Sequence, residues 1–358
     1  MYKSIILIPA LNPPAGFVRY VKELVESGFK HILVVDDGSD TKHKRFFEEI
    51  EALDNVTVYT HIKNMGKGRA IKNGINYAMT LWGDDDGVKG IITVDSDGQH
   101  TVEDVVKIHM GLENQSTPAL ILGVRDFCGR DIPKKSSFGN KTTSRVFRLL
   151  YGKKISDTQT GLRGIPKEYA ADYIDLQGER FEYEMNMLIY GAVNNHRLEE
   201  IPIRTIYINN NNETHFRPIA DSFKIYRLIF GSFLRFIMSS LSASIIDLSL
   251  FKAFTVILAS LNDNVQIFTA TAAARIISSF YNFEVNKRGV FKSTEKNRSQ
   301  AAKYFFLCVV QMLASAGIVM ALNHIFGGSK LLEKLITDVA LFVISYQIQL
   351  KWVFKKPV

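Results

Sequence analysis

Cysteine is scarce in this chain: there are two residues, Cys128 and Cys308, among 358. Internal repeats and low-complexity tracts are also lacking. We expect no cleavable signal peptide, since Met1-Tyr2-Lys3 leads into a short apolar strand and not into a long hydrophobic region. Because the two cysteines lie far apart, they do not suggest a disulfide framework, and a reducing compartment is the simpler inference.

Acidic residues are outnumbered by basic ones, and the formal net charge is +8. Such a charge suits nucleic acid, a membrane surface or an anionic substrate. The basic residues cluster at the flanks of apolar segments, a distribution that favours a membrane bilayer and disfavours nucleic-acid binding.

A mean hydropathy near zero conceals two different halves. Up to about Tyr226, charged residues punctuate short apolar runs, as in a soluble α/β domain, whereas long apolar segments dominate afterwards. We place the boundary near Leu228 and predict two domains, 1–228 and 229–358, which the length of the chain also allows.

Strand and helix patterns alternate at the start of the chain. The predicted order is strand, helix, strand, over residues 4–8, 15–27 and 31–35. This order predicts a parallel βαβ unit, with Asp36 and Asp37 at the carboxyl end of its second strand. These aspartates either accept hydrogen bonds from a uracil or guanine edge and from ribose hydroxyls, or cap a helix that begins near Thr41.

Two carboxylates follow the buried strand predicted at 91–94. Asp95 and Asp97 stand one residue apart beyond the end of that strand, where open α/β sheets bind ligands. Hard oxygen donors suit Mg²⁺ or Mn²⁺, and Mg²⁺ in particular keeps coordination positions for water and substrate phosphates. The alternative is an ordinary Asp-rich turn, because such turns are common.

A lysine between two glycines follows the strand predicted at 56–59. Lys67 precedes a helical stretch, where free N–H groups, the helix dipole and a cation together suit a diphosphate. The spacing is not that of a P-loop, and a turn with an exposed lysine is the alternative. A further strand, predicted at 119–124, delivers Arg125 to the same edge of the sheet.

Five motifs in this order resemble those of family 2 glycosyltransferases: P-A-L-N, D-D-G-S, N-M-G-K-G, D-S-D-G-Q-H and D-T-Q-T-G-L-R. They are most similar to motifs of the polyprenyl-phosphate glycosyltransferases, the group of dolichyl-phosphate mannose synthase. The resemblance implies a GT-A fold, a Rossmann-like α/β domain with a mostly parallel sheet. It also implies a nucleotide-sugar donor, a divalent metal (Mg²⁺ or Mn²⁺) and inverting transfer to a polyprenyl phosphate. The usual P-x-x-N-E reads Pro9-Ala10-Leu11-Asn12-Pro13 here, without the Glu.

The resemblance also implies roles for particular residues. The nucleotide-sugar would be bound by Pro9, Asn12, Asp36, Asp37, Lys67, Asp95 and Ser96. The metal ligands would be Asp95, Asp97 and Gln99. The residues around the reacting sugar and acceptor would be Asp97, Arg125, Asp157 and Arg163.

The basic segment 134–154 has an apolar face, as expected of a helix that lies on a membrane surface. The alternative is a solvated helix on a soluble domain. Arg145 in this segment is a candidate for binding the acceptor phosphate. Arg204 and Arg217 are further candidates, because a guanidinium group can pair phosphate through two parallel bonds. Glu184 is a weaker candidate for the sugar and acceptor site, because a carboxylate near a helix N-terminus is explained equally well by its interaction with the helix dipole.

The implied reaction needs little acid–base help. A lipid phosphate monoester, with a second pKa of about 6, is mostly ionised near neutral pH and is already a nucleophile. The departing nucleoside diphosphate needs charge neutralisation, from the metal with Lys67 and arginines as helpers. One in-line displacement would invert the anomeric centre.

Four long apolar stretches occupy the second half, at 233–258, 265–286, 304–326 and 331–354. Each meets the requirement of about 20 residues to cross a bilayer. Lysine and arginine are frequent between the second and third stretches and absent from 259–264, which predicts that both termini and the catalytic half are cytoplasmic. Asp247 and Arg275 lie about halfway along the first and second stretches, so we expect these opposite charges to pair inside the membrane.

The run from Ala274 to Phe291 resembles the GtrA-like family of four-helix membrane proteins. Together the resemblances imply a multi-pass cell-membrane enzyme. It would load one sugar from a UDP- or GDP-sugar onto a lipid such as undecaprenyl phosphate, for cell-envelope glycan decoration. Formation of a homo-oligomer is left open.

Two rival functions are less well supported. A processive polysaccharide synthase is disfavoured because the chain has no Q-x-x-R-W motif. A lipid-linked sugar transporter with a nucleotide-binding regulatory domain is disfavoured by an intact set of polar residues: Lys67, Asp95, Asp97, Gln99 and Arg125.

Overall fold

The computed structural model describes residues 1–125, 134–204, 218–293 and 297–354. The chain divides into two compact units. The first comprises Met1–Arg148 and Lys153–Leu228, and the second comprises Leu149–Gly152 and Ile229–Val358.

Strands and helices alternate through the first unit, and long helices make up most of the second. The strands are β1 Tyr2–Ala10, β2 Phe29–Asp36, β3 Val56–Thr60, β4 Gly90–Thr93, β5 Ala119–Arg125, β6 Arg163–Pro166 and β7 Arg197–Ile203. The helices up to β7 are α1 Phe17–Glu26, α2 Lys44–Glu51, α3 Lys67–Trp82, α4 Val102–Asn114, α5 Lys134–Tyr151, α6 Ala170–Ile174 and α7 Glu182–Val193. The later helices are α8 Pro218–Ile257, α9 Asp263–Val285, α10 Asn297–Phe326 and α11 Lys330–Ile348.

The strands form one sheet in the order β3-β2-β1-β4-β6-β5-β7. Every neighbouring pair in it is parallel except the two that contain β6, which runs antiparallel to β4 and to β5. The predicted mostly parallel Rossmann-like sheet is therefore confirmed, with β6 as the strand of opposite direction.

The core explains why these segments form a parallel sheet. Ile5, Ile6, Leu7 and Ile8 are each 0% exposed, so side chains on both faces of β1 are covered. Such continuously apolar strands are typical of parallel sheets with helices packed on both sides. Full burial of each aliphatic side chain contributes about 1.5–3 kcal/mol.

The structure of the loop after β2 decides between the two interpretations given for its aspartates. Helix α2 begins at Lys44, and its N-cap residue His43 makes no side-chain capping hydrogen bond. The helix-cap interpretation is therefore wrong for Asp36 and Asp37, whose carboxylates have other partners, described below. Asp40 Oδ1, in contrast, accepts the Lys42 N–H at 3.1 Å in the turn before α2.

Helices α8–α11 correspond to the four apolar stretches of the sequence. Two segments within them, Phe223–Ile257 and Arg298–Phe326, are long and apolar enough to cross a membrane. The other two helices carry more charge, including Arg275 on α9 and Asp338 on α11. Polar side chains of neighbouring helices are hydrogen-bonded inside this unit, as between Ser345 Oγ and Gln311 Oε1 at 3.1 Å.

The predicted pairing of opposite charges between α8 and α9 is confirmed. Arg275 Nη2 lies 3.4 Å from Asp247 Oδ2. Ser278, one turn further along α9, donates a hydrogen bond from Oγ to Asp247 Oδ1 at 2.8 Å. Both carboxylate oxygens of Asp247 therefore have polar partners from α9, which lowers the cost of an acidic side chain in an apolar helix.

Candidate active site

Strand direction brings the predicted site residues to one edge of the sheet. β1, β2, β4 and β5 end at this edge, whereas the antiparallel β6 begins there, with Arg163 paired to Thr93 and Leu122. The D-T-Q-T-G segment before β6 consequently reaches the same edge as the D-S-D segment after β4. A cleft at this edge is lined by Pro9, Asn12, Asp37, Lys67, Asp95, Ser96, Asp97, Gln99 and Arg125, among other residues.

Asp95 is held by a lysine of the neighbouring helix. Lys67, the first residue of α3, places Nζ 2.7 Å from Asp95 Oδ1, and His100 Nε2 lies 3.5 Å from Asp95 Oδ2. Burial acts to raise the pKa of Asp95, but the positive charge of Lys67 and the His100 hydrogen bond outweigh it and hold that pKa well below its usual range. Asp95 is therefore an ionised carboxylate at the cleft surface.

Asp97 has a different environment from Asp95. Its Oδ1 accepts a hydrogen bond from the Gln99 N–H at 3.0 Å. Burial, followed by the negative charge of Asp95, raises the pKa of Asp97 above its usual value. Two carboxylates this close repel each other, and a cation between them would relieve that repulsion.

These residues fit a divalent cation. Mg²⁺ is usually held by one or two carboxylates plus substrate phosphates, with water in the remaining positions. Asp95 and Asp97 supply two carboxylates, and the amide oxygen of Gln99 is a third oxygen donor in the same cleft. Within the described ranges no cluster of three His, Cys, Asp or Glu side chains is placed to hold a metal.

A glycine of the D-T-Q-T-G segment makes room for the Asp95 carboxylate. A Cβ atom on Gly161 would lie 2.3 Å from Asp95 Oδ2 and 2.8 Å from its Cγ. Thr93 Oγ1 donates a hydrogen bond to the Gly161 carbonyl oxygen at 2.8 Å, which fixes the segment against β4. The glycine is required here for close approach, which explains its place in the motif.

Asp37 shapes the loop that precedes Lys67. Its Oδ1 accepts hydrogen bonds from His61 Nδ1 at 2.7 Å and from the Met65 N–H at 2.8 Å, and its Oδ2 accepts one from the Gly66 N–H at 2.7 Å. The Gly66 N–H is therefore used by Asp37, and the prediction that free N–H groups at the start of α3 bind a diphosphate can apply only to the other residues of that turn. Asp37 still lines the cleft, and its contact with a nucleotide stays a prediction.

Asp36 and Asn12 join the loops after β2 and β1. Asp36 is 0% exposed; its carboxylate accepts the Ser39 N–H at 2.8 Å and pairs with Lys44 Nζ. Asn12 adopts a left-handed backbone conformation with φ 47°. Its N–H donates to Ser39 Oγ at 2.9 Å, and its Oδ1 accepts the Asp40 N–H at 2.9 Å. Asp36 is not among the described residues that line the cleft, whereas Asn12 is.

Arg125 is oriented by a buried carboxylate. Its Nε and Nη2 donate to Asp157 Oδ2 and Oδ1 at 2.7 and 3.1 Å, a bidentate pair, and Asp157 is 0% exposed. Arg125 lines the cleft, but Asp157 lies beneath it. Asp157 is therefore placed to position Arg125, and any direct contact of Asp157 with substrate stays a prediction.

Arg163 lies in the interior of the first unit. It is 1% exposed, and it donates from Nε to the Thr160 carbonyl oxygen at 3.0 Å and from Nη1 to the Glu184 carbonyl oxygen at 2.7 Å. These bonds connect the D-T-Q-T-G segment to α7. The guanidinium group supports the walls of the site, and its predicted contact with sugar or acceptor is not tested by this arrangement.

The three predicted phosphate-binding arginines have different positions. Arg204 lines a small pocket together with Asp95, Gln99 and Arg125. Arg145 is exposed on α5, whose Phe147 is buried. Arg217 lies outside the described residues.

The cleft contains residues that the motifs did not reveal: His43, Phe46, Arg180, Phe181, Met185 and Lys224. Phe181 and Glu184 stand in the F-E-Y-E run at the start of α7, and that pattern was a detectable signal. Lys224 on α8 lies far from every motif in sequence, so only the folded structure shows that it lines the same cleft as Lys67 and Asp95.

The chain belongs to glycosyl transferase family 2, whose sequence profile matches residues 5–173. A second profile, of the GtrA/DPMS transmembrane domain, matches residues 235–354. The first domain accordingly has the GT-A fold, and the chain is a membrane glycosyltransferase. Both resemblances identified from the motifs are confirmed.

Three relatives show how far the similarity extends. An uncharacterized protein of Methanocaldococcus jannaschii is 32% identical over 212 residues, which cover 56% of this chain and 81% of that protein. The UDP-N-acetylglucosamine–dolichyl-phosphate N-acetylglucosaminyltransferase of Methanococcus voltae is 28% identical over 220 residues, covering 56% and 85%. The polyprenol monophosphomannose synthase of Mycolicibacterium smegmatis is 28% identical over 212 residues, covering 56% and 76%.

The close approach at Gly161 generates a prediction. In Gly161→Ala the new methyl group would push the Asp95 carboxylate away, because rotating that short side chain is easier than moving β4. We expect glycosyltransferase activity to fall on the order of 100-fold, with a thermal unfolding midpoint close to that of the unaltered protein. Gly16→Ala is the control, since a Cβ there meets nothing within 4 Å. Equal activity of the two variants would contradict this role of Gly161.

Proposed function

We propose that this protein transfers one sugar from a UDP- or GDP-sugar to a polyprenyl phosphate such as undecaprenyl phosphate, with inversion at the anomeric carbon. The observation that carries the proposal is the convergence of Asp95, Asp97, Lys67 and Arg125 on one cleft of a family 2 domain. A GtrA/DPMS transmembrane domain in the same chain supports an acceptor that resides in lipid. The named relatives act on dolichyl phosphate or polyprenol monophosphate, which supports the same class of acceptor.

The acidic and basic residues of the cleft have different proposed roles. Asp95, Asp97 and Gln99 would hold Mg²⁺ or Mn²⁺, which supplies charge neutralisation to the departing nucleoside diphosphate. Arg125, oriented by Asp157, and Lys67 add fixed positive charges beside it. Pro9, Asn12 and Asp37 line the part of the cleft near the ends of β1 and β2, where we place the nucleoside.

The acceptor needs binding and orientation more than activation. Its phosphate is mostly ionised near neutral pH and can attack the anomeric carbon without a strong general base. Arg204 shares a pocket with Asp95 and Arg125, which supports our assignment of Arg204 to binding that phosphate close to the donor. This arrangement supports a single in-line displacement.

The direct test is to incubate membranes containing the protein with radiolabelled UDP-glucose, UDP-GlcNAc or GDP-mannose. We expect one of these donors to transfer label into organic-extractable lipid. The labelled lipid should be sensitive to mild acid, as a sugar phosphodiester is. Label that stays in the aqueous phase with every donor and with added undecaprenyl phosphate would refute the proposal.

The metal-binding assignment predicts the behaviour of Asp97→Ala. We expect transfer to fall by at least about 100-fold, because one of two metal carboxylates is lost, while the protein remains folded and in the membrane fraction. Asp54→Ala is the matched control, since Asp54 is exposed on the loop before β3. Full activity of Asp97→Ala, or of the unaltered protein in EDTA, would exclude this metal site.

The basic residues of helix α5 predict an effect on acceptor binding that is separate from donor binding. Arg145 and Arg148 are exposed, whereas Phe147 between them is buried. Replacing both arginines with glutamate should raise the KM for polyprenyl phosphate about tenfold or more, because anionic lipid is then repelled. Donor affinity measured by calorimetry should stay within about twofold. A collapse of donor affinity would assign this helix another role.

We further propose four membrane spans with the catalytic domain and both termini in the cytoplasm of a cell membrane. Helices α8–α11 and the lack of Lys and Arg in residues 259–264 support this topology. In a chain without its native cysteines, Ser260→Cys should react with a membrane-impermeant maleimide on intact cells. Arg298→Cys, before the third span, should react only after permeabilisation. The reverse pattern would overturn the topology.

A further inference from the structure

Lys67 lies between two carboxylates. Its Nζ is 2.7 Å from Asp95 Oδ1 and 3.0 Å from Glu184 Oε1, and it stands 5.8 Å from the centre of the Phe181 ring. Two carboxylates in contact with one Nζ atom favour the ammonium form of this side chain.

The glycines on either side of Lys67 bring it to Glu184. A Cβ atom on Gly66 would lie 2.3 Å from the Glu179 carbonyl oxygen, and one on Gly68 would lie 2.6 Å from Tyr183 Cβ. The start of α3 can therefore pack directly against the start of α7. The G-K-G motif thus serves to place an ammonium group next to a particular carboxylate.

Glu184 is fixed in place beside Lys67. Its carbonyl oxygen accepts a hydrogen bond from the buried Arg163 Nη1 at 2.7 Å, and its side chain is 11% exposed. Its Oε1 lies 3.0 Å from Lys67 Nζ, so this carboxylate is already in contact with the ammonium group that it would retain.

The ammonium group and a divalent cation would compete for Asp95. Two carboxylates, of Asp95 and Glu184, contact the Lys67 ammonium group, and Asp97 lines the same cleft. A divalent cation on Asp95 and Asp97 would leave Lys67 and Glu184 as a neutral pair. Without Glu184, the same cation would leave the Lys67 ammonium group, whose side chain is only 20% exposed, without a partner carboxylate, which is costly.

We propose that Glu184 is a positioning residue that receives the Lys67 ammonium group when a divalent cation takes its place on Asp95. Lys67 then stays in the cleft, displaced by a short distance, and faces the diphosphate. This inference rests on the metal site of the proposed function and adds a residue that controls access to it.

The test measures Mn²⁺ binding to the full-length protein in detergent, without nucleotide, from the electron paramagnetic resonance signal of free Mn²⁺. We expect Glu184→Gln to weaken Mn²⁺ binding about tenfold or more, because the displaced ammonium group loses its partner. Lys67→Met should bind Mn²⁺ at least about threefold more tightly than the unaltered protein, because the competing cation is gone. In the double variant, Glu184→Gln should change the affinity of Lys67→Met by no more than about twofold.

Glu182→Gln is the matched control. Glu182 lies on the same first turn of α7, but its Oε1 faces the N–H groups of Glu179 and Arg180 at 3.2 and 3.3 Å, bonds that a glutamine can also accept. It tests the loss of one negative charge at this helix end, and we expect its Mn²⁺ affinity to match that of the unaltered protein. Thermal unfolding midpoints of all variants show that each protein is folded.

Three outcomes would overturn the inference. The first is that Glu184→Gln binds Mn²⁺ as tightly as the unaltered protein. The second is that Glu184→Gln weakens Mn²⁺ binding equally whether residue 67 is Lys or Met, which would show a general charge effect. No saturable Mn²⁺ binding to the unaltered protein would remove the metal site as well. Because lipid labelling is measured separately, transfer that persists in the first two cases would leave the proposed function standing while this inference fails.

Discussion

The negative charge of Asp95, whose side chain is 28% exposed at the cleft, is the constraint on which the rest of the site depends. An ionised carboxylate in such a place needs a cation, and Lys67 at the start of α3 provides it at 2.7 Å. The same carboxylate needs space, and Gly161 provides it by having no Cβ. One side chain after β4 therefore determines what stands at the start of α3 and before β6, segments far from it in sequence.

The antiparallel strand β6 makes this arrangement possible. In a wholly parallel sheet, a segment that precedes a strand lies at the edge opposite to the carboxyl ends. Because β6 runs against β4 and β5, the D-T-Q-T-G segment before it arrives beside Asp95 and Arg125. Asp157 then pairs with Arg125, and Arg163 ties the segment to α7. The buried members of the motif thus support the exposed ones.

The positions of the charged residues also explain which of them face a ligand and which support the site from beneath. Asp95, Asp97 and Gln99 face the cleft, where a metal and a phosphate are accessible to one another. Asp36, Asp157 and Arg163 are buried and hydrogen-bonded to backbone or to other charged groups. A motif shared within a family therefore contains both kinds of residue, and the sequence pattern does not distinguish them.

The sequence by itself determined the alternation of strands and helices, the change from short to long apolar segments and the family, because these depend on local periodicity, hydropathy and motif order. It also sufficed for the contact of Asp247 with Arg275, since two opposite charges in adjacent apolar helices have few other partners. It did not reveal that Asp37 occupies the Gly66 N–H, that Asp157 lies beneath Arg125 or that Glu184 meets Lys67. Only the tertiary structure decided these contacts, because each joins segments that are distant in the chain, and a carboxylate's partner depends on which groups the packing of the sheet and helices brings within about 3 Å.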